Sequence, residues 1–355
     1  RFNGTVFGEA QIIPGLRFRS TFSVAKNFNF THQYYPSFLQ EGNYYNNYTG
    51  KAVRGSSESV RTLWDNTLKY EGTFKEIHAL DALFGVSFER YKAGDFSATG
   101  VDFPMDKILN NLSSATTPYD VSGNSSGNGL ISVFGRFNYQ LMEKYLFTFT
   151  ARFDGSSKFG KNNKWGYFPS GAVSWKLHNE PWMQKLNVFD EFKIRASWGI
   201  SGNQGISPYQ TLNRYGTEKY WFADKWQTAI GPGYEAGREG ANDRYILWGG
   251  IANPDLRWES TRQWNLGVDL AFFKRRLRVT MDYYDKYTTD LLREKYLPLS
   301  SSYDKMWVND GNIRNRGFEL TLDGDIVSRK NTSFSATFIF SRNRNEVTDL
   351  GNAVS

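Results

Sequence analysis

The chain has 355 residues, no cysteine, a formal net charge of +7, and 17% aromatic within 39% hydrophobic residues. Zero cysteine excludes disulfides, thiolate metal centres and cysteine nucleophiles, and no apolar run approaches the ~18 residues that a membrane-crossing helix needs. The positive charge does not point to nucleic acid, because Lys and Arg are spread over polar positions and turns such as Lys274-Arg275-Arg276 instead of forming a binding module.

Alternation dominates what remains. After a Pro14-Gly15 turn, Leu16, Phe18, Phe22 and Val24 fall on one side, with Arg17, Arg19, Thr21 and Ser23 on the other. His78, Leu80, Ala82, Phe84, Val86 and Phe88 form the next apolar side. In Leu130 to Gln140, Ile131, Val133, Phe137 and Tyr139 oppose Ser132, Arg136, Asn138 and Gln140. Lys144 to Asp154 repeats the rule, with Tyr145, Phe147, Phe149, Ala151 and Phe153 on the apolar side. Phe192 to Trp198, Gln263 to Phe272, Leu277 to Tyr287, Phe318 to Asp323 and Ser333 to Ser341 follow it too. Side chains alternate across a strand, so each segment is a ribbon with one greasy face. The pattern predicts about twelve strands in about six hairpins.

A soluble sandwich also has one apolar face per strand, but three features favour a transmembrane barrel. Several segments keep the period for ~10 residues, the length of a tilted membrane-spanning strand. Short connections, which face the periplasm in such barrels, fall at Pro14-Gly15, Gly72 to Glu76, Leu141 to Lys144, Phe273 to Arg276 and Ser328 to Asn331, with His178 to Glu191 a longer exception. Long connections, expected outside the cell, fall near residues 29–59, 91–129, 199–257 and 288–312. Tyr139, Tyr145, Trp175 and Phe272 lie beside the short turns, whereas Phe153, Trp198 and Trp258 lie near the long loops, as two aromatic girdles would.

Several blocks closely resemble the barrel of SusC/RagA-type TonB-dependent transporters of Bacteroidetes. They are Leu130 to Tyr139, Tyr145 to Gly160, Asn163 to Ser170, Glu180-Pro181-Trp182, Phe192 to Gly199, Ser201 to Gly205, Asn253 to Thr261, Asp282 to Leu292 and Asn309 to Glu319. The resemblance implies an all-β, antiparallel transmembrane barrel of about twenty-two strands, of which this chain supplies about half in one domain. It also implies an outer-membrane importer of oligosaccharides or peptides, a SusD-like surface lipoprotein as cap, and TonB acting through a plug. No plug segment is recognisable here, no secretory signal precedes Arg1-Phe2-Asn3, and the closing aromatic strand is not seen before Asn352 to Ser355. The chain therefore reads as an internal stretch of a longer polypeptide.

Residues that invite other chemistry have plainer readings. Asp154-Gly155-Ser156-Ser157 reads as a tight exit from a strand. The spaced glycines of Gly199 to Gly205 lack the helix a phosphate loop requires and read as loop-shaping. Asp282, Asp285, Asp290 and Glu294 read as lumen or rim charges, with Asp285 in the apolar register. His32, His78 and His178 have no ligand-spaced neighbours. Neither a catalytic constellation, a cofactor site nor a metal site is expected.

Candidate ligand or partner contacts lie in the loops. Tyr34, Tyr35, Asn43, Tyr44, Tyr45 and Tyr48, with Asn46 and Asn47, form one aromatic and amide cluster; Tyr220, Trp221 and Trp226 form another. Aromatic rings stack on sugars and amides bind hydroxyls, a combination that also suits peptides, although the same rings can simply pack a loop. The alternatives to an importer are a soluble sandwich or propeller that binds carbohydrate, and a passive or structural barrel that anchors other subunits.

Overall fold

A computed structural model describes the chain except residues 43–48, 106, 107, 109, 214, 233–250, 302–304, 330 and 352–355. For residues 119, 215–220, 226, 228–232 and 299 it describes the backbone alone. The strands are β1 (Phe2–Ile13), β2 (Leu16–Tyr35), β3 (Lys51–Phe74), β4 (His78–Val101), β5 (Thr117–Leu141), β6 (Tyr145–Ser156), β7 (Trp165–Lys176) and β8 (Glu191–Asn203). They continue as β9 (Tyr215–Phe222), β10 (Lys225–Pro232), β11 (Glu259–Phe272), β12 (Leu277–Thr289), β13 (Leu292–Tyr296), β14 (Lys305–Asn309), β15 (Asn312–Arg329) and β16 (Thr332–Asp349). One 12-stranded antiparallel sheet runs in the order β1-β2-β3-β4-β5-β6-β7-β8-β11-β12-β15-β16. The pairs β9/β10 and β13/β14 are separate hairpins inserted in its long connections.

The register aligns the greasy faces into one band. Leu68 opposes Phe18 and Phe84, Phe137 opposes Phe149, Trp198 opposes Trp264, and Tyr283 opposes Leu266 and Phe318. Among the described residues no second sheet is stacked on this band: Phe84 and Phe149 are each 54% exposed, and Phe338 is 56% exposed. A sandwich would have buried these rings, so the soluble alternative fails. The band is the outer, lipid-facing side of a wall, and the opposite face, lined by Arg, Lys, Asp, Glu, Asn and Thr, is the inner side.

The short turns rely on left-handed backbone. Lys75 and Glu76 have φ of 49° and 61°, and Met142 and Glu143 have φ of 52° and 56°. That conformation matches the right-handed twist of the strands each turn joins.

Strand ends differ from those read off the alternation. β2 continues to Tyr35 and β3 begins at Lys51, while β4 reaches Val101 and β5 starts at Thr117. Residues 29–35, 51–59, 91–101 and 117–129 are therefore ladder, not loop. Beyond the bilayer both faces meet water, so hydrophobic alternation stops while backbone pairing continues. β1, β3 and β7 carry glycine or polar residues on their apolar side, among them Gly4, Gly8, Asn66 and Gly171, and no alternating run marks them.

Candidate functional site

The inner face is a wall of linked charges. Lys69 Nζ lies 2.6 Å from Glu71 and 3.2 Å from Asp81, and Arg17 also pairs with Glu71. Asn138 donates to Asp81 at 2.9 Å and accepts from Thr148 at 2.9 Å, carrying the chain across β4, β5 and β6. Arg152 donates to Asp154 and to Ser132 Oγ. Further round, Arg195 grips Asp269 through Nε and Nη2 at 2.8 and 2.9 Å and reaches Asp282 at 3.1 Å. Arg195, Gly267 and Asp282 are register partners on successive strands. A Cβ on Gly267 would stand 2.6 Å from Asp282 Oδ1 and 2.7 Å from the Arg195 guanidinium carbon, so glycine lets the arginine cross without either side chain shifting.

The four carboxylates singled out from the sequence are all ion-paired. Besides Asp282, Asp285 is held by Arg314 on the outer face near the rim, Asp290 by Arg257 at 2.7 Å, and Glu294 by Lys305 at 3.0 Å. No group of three or more metal-ligating side chains occurs among the described residues.

Above the wall several of the family-like sequence blocks meet in a clasp. The ladder from β7 to β8 stops at Ser170 opposite Gly199, beside Pro169, which has no N–H to donate. Toward the loops β7 pairs only with β6, and β8 pairs only with β11. A small core of Phe159, Phe168, Ile206, Leu256 and Trp258 gathers at this split. The Phe168 ring lies over Gly202, where a Cβ would stand 2.1 Å from Cζ. Gly199 and Gly202 thus belong to β8, and their role is close packing instead of loop shaping. Trp258, expected in a girdle, is buried in this core, its ring tilted by 42° against Phe159 at 4.8 Å, with its indole N–H on the Lys164 carbonyl.

Hydrogen bonds lock the segments together. Ser156 Oγ donates to Gln204 Oε1 at 2.6 Å. Gly160 and Asn162 N–H groups donate to the carbonyls of Leu256 and Pro254. Asn162 and Asn163 amides reach Asp255. Asn309 accepts from the Arg257 N–H and donates to the carbonyls of Arg257 and Asp290. Residues 154–170 and 199–205 are bound by this network to 253–258 and 307–309.

Three comparisons place this geometry. The family model described as "TonB dependent receptor-like, beta-barrel" matches residues 5–355. The chain belongs to the TonB-dependent receptor β-barrel family. TonB-dependent receptor P3 of Formosa agariphila is 31% identical over 350 residues, covering 98% of this chain and 33% of that protein. TonB-dependent receptor SusC of Bacteroides thetaiotaomicron is 35% identical over 231 residues, covering 63% of this chain and 21% of the relative. A solved structure of the RagAB peptide transporter superposes with a TM-score of 0.84 at 25% identity, over 99% of this chain and 37% of that one. The chain therefore spans about one third of the length of the curated relatives it matches. As TonB-dependent receptor barrel wall it lies in the bacterial outer membrane, with its short turns on the periplasmic side.

The aromatic loop residues of this receptor wall are scattered. Tyr34 lies within β2 opposite Ala52 and meets the buried Phe103 edge-on at 5.2 Å, so it packs the tip of the tall β2–β4 ribbon. Tyr35 ends β2 opposite Lys51. Trp221, 58% exposed, is the register partner of Trp226 in the β9/β10 hairpin. Asn43, Tyr44, Tyr45 and Tyr48 lie outside the described residues, as do Asn46 and Asn47 and the side chains of Tyr220 and Trp226.

Sequence reading missed a periplasmic anchor. Glu180, in the β7–β8 connection, accepts from Tyr145 Oη at 2.8 Å, Lys144 Nζ at 3.0 Å and Trp175 Nε1 at 3.1 Å. The Tyr145 hydrogen bond first, then those from Lys144 and Trp175, hold its carboxyl below the usual glutamate range. Its only signal in the sequence was the Glu180-Pro181-Trp182 block.

Proposed function

We propose that this chain is barrel wall and loops of an energised outer-membrane importer of peptides or oligosaccharides. A SusD-like lipoprotein would cap the extracellular side and TonB would act from the periplasm through a plug. The observation that carries the reading is the overlay of nearly the whole chain on the RagAB peptide transporter, together with kinship to SusC.

The inner wall suits that role physically. Its cations at Lys69, Arg152 and Arg195 each sit against a carboxylate, so a hydrophilic solute meets a wetted surface whose charges are already compensated. Such a surface passes cargo without trapping it at one strong site. The wall performs no covalent step: cargo would be captured among loops and cap, and movement of the plug would open the path. Trp221 and Trp226, on the inserted β9/β10 hairpin, are the residues assigned to contact cargo or cap, ahead of Tyr34, whose ring is engaged in packing.

Uptake of labelled oligopeptides and oligosaccharides by cells carrying the intact protein tests the proposal. Uptake should cease when TonB is deleted. Uptake of either cargo that persists without TonB would favour a passive barrel.

A further inference from the structure

The outer face carries a second kind of site. Where the short strands β6 and β7 end beside the tall β4/β5 ribbon, a groove of about 830 Å³ opens on the lipid-facing side. Its floor is apolar: Trp64 stacks on Phe88 at 5.6 Å, Ile131 is Phe88's register partner, and the Trp165 ring lies flat over Gly155. Its upper margin is cationic, from Arg90, Lys92 and Lys164.

Register fixes the depth of these groups. Arg90 and Lys92 continue the outward-facing row of Phe84, Val86 and Phe88, so they stand directly above the greasy band. Trp165 and Trp175 are ends of one strand, ten residues apart. At ~3.3 Å per residue and ~40° tilt they span ~25 Å, the height of an outer-membrane apolar band. Trp175 is at the periplasmic girdle, which puts Trp165 at the opposite interface and Arg90, Lys92 and Lys164 in the headgroup layer.

Three cations gather at this one groove. All are exposed, and none forms an ion pair among the described residues. Glu89 borders the groove, but its carboxylate pairs on the inner face with Arg61 at 3.3 Å. The hollow lined by Trp198, Trp264 and Tyr287 on the same outer face carries less charge, because there Asp285 neutralises Arg314 and Arg262 alone is left without an ion pair among the described residues.

Outward-facing unpaired cations above a hollow aromatic floor fit a molecule with negative charge at one end and hydrocarbon at the other. We propose that the groove seats one anionic lipid of the surrounding leaflet, its phosphate held by Arg90, Lys92 and Lys164 and its acyl chains lying on Trp64, Phe88, Ile131 and Trp165. The inference requires a membrane-embedded wall but not import, so it stands or falls separately from transport.

Native mass spectrometry of the full-length protein in uncharged detergent tests it, with dioleoylphosphatidylglycerol, dioleoylphosphatidylcholine and inorganic phosphate as probes. The expected result is one retained phosphatidylglycerol, held in preference to phosphatidylcholine and not displaced by inorganic phosphate. Combined Arg90→Gln, Lys92→Gln and Lys164→Gln should weaken that retention by about a hundredfold, while Arg262→Gln in the neighbouring hollow leaves it unchanged. Equal retention of both lipids by the unaltered protein would overturn the proposal, whether or not the triple variant folds. Displacement by phosphate alone would make it a free-anion site, and retention unchanged in the folded triple variant would place the lipid elsewhere.

Discussion

Arginine at Phe149 should destabilise the membrane-inserted protein by about 2–4 kcal/mol, whereas arginine at Thr148 or Thr150 should cost about 1 kcal/mol or less. Phe149 points outward, opposite Phe137 on β5 and Gly171 on β7. It lies midway between Tyr145 at one girdle and Phe153 at the other. With a rise of ~3.3 Å and a tilt of ~40°, each interface is ~10 Å away along the membrane normal, which puts a charge here where the penalty peaks. Thr148 and Thr150 face the water-lined inner wall. Thr148→Arg loses the 2.9 Å hydrogen bond to Asn138 but brings a cation toward Asp81. Thr150→Arg stands opposite Arg136, so of the inner pair it should be the costlier. Urea titration of the full-length variants in lipid vesicles, read by heat-modifiable mobility, measures all three. Equal penalties at the three positions would refute the assignment of faces.

Gly202→Ala should cost about 1–3 kcal/mol by driving the Phe168 ring from the clasp. Combining it with Phe168→Ala should cost less than the sum, a coupling that protease sensitivity of the loop layer reports. Replacing Arg195 with Met leaves Asp269 and Asp282 without their shared cation. Because these groups are partly solvated, a double-mutant cycle with Asp269→Asn should return only about 1 kcal/mol of coupling, and a value near zero would mean that the pair is not formed. Glu180 has a folded-state pKa below its ordinary 4.5, so its stabilisation is complete above that value and is lost as pH falls through the depressed folded value. Glu180→Gln should therefore flatten the acid limb of unfolding below about pH 4.5, and an unaltered limb would remove Glu180 from the argument.

The transmembrane part of the fold was legible because lipid outside and water inside impose opposite demands on successive residues. Tyr145 to Phe153 obeys both, and its face is as read. Where that contrast is absent the signal fades. The ladder of residues 117–129 runs through Gly123, Gly127 and Gly129 with no apolar row, and β9/β10 and β13/β14 lie above the bilayer. Trp258 was misplaced for a related reason: an aromatic beside a strand end looks the same in sequence whether it faces the interface or a buried core. The clasp itself was visible only as separate motifs, because contacts such as Ser156 to Gln204 join residues far apart in the chain.

Those motifs have a common cause in the split beside Pro169. A proline there ends the β7–β8 ladder, and a break in a barrel wall exposes unpaired backbone and apolar side chains to the loop layer. Phe168 fills the opening from one side and Ile206, Leu256 and Trp258 fill it from the other. Gly202 is glycine because the ring must lie on the strand, and Asn162, Asn163, Asn253 and Asn309 are amides because the loop backbones crossing the gap need donors and acceptors that no sheet supplies. On this view the blocks that meet at the clasp record the sealing of one joint, not a ligand site. Restoring an N–H with Pro169→Ala should then change loop-layer stability much less than Phe168→Ala, because the hydrophobic plug, not the missing ladder bond, holds the joint closed.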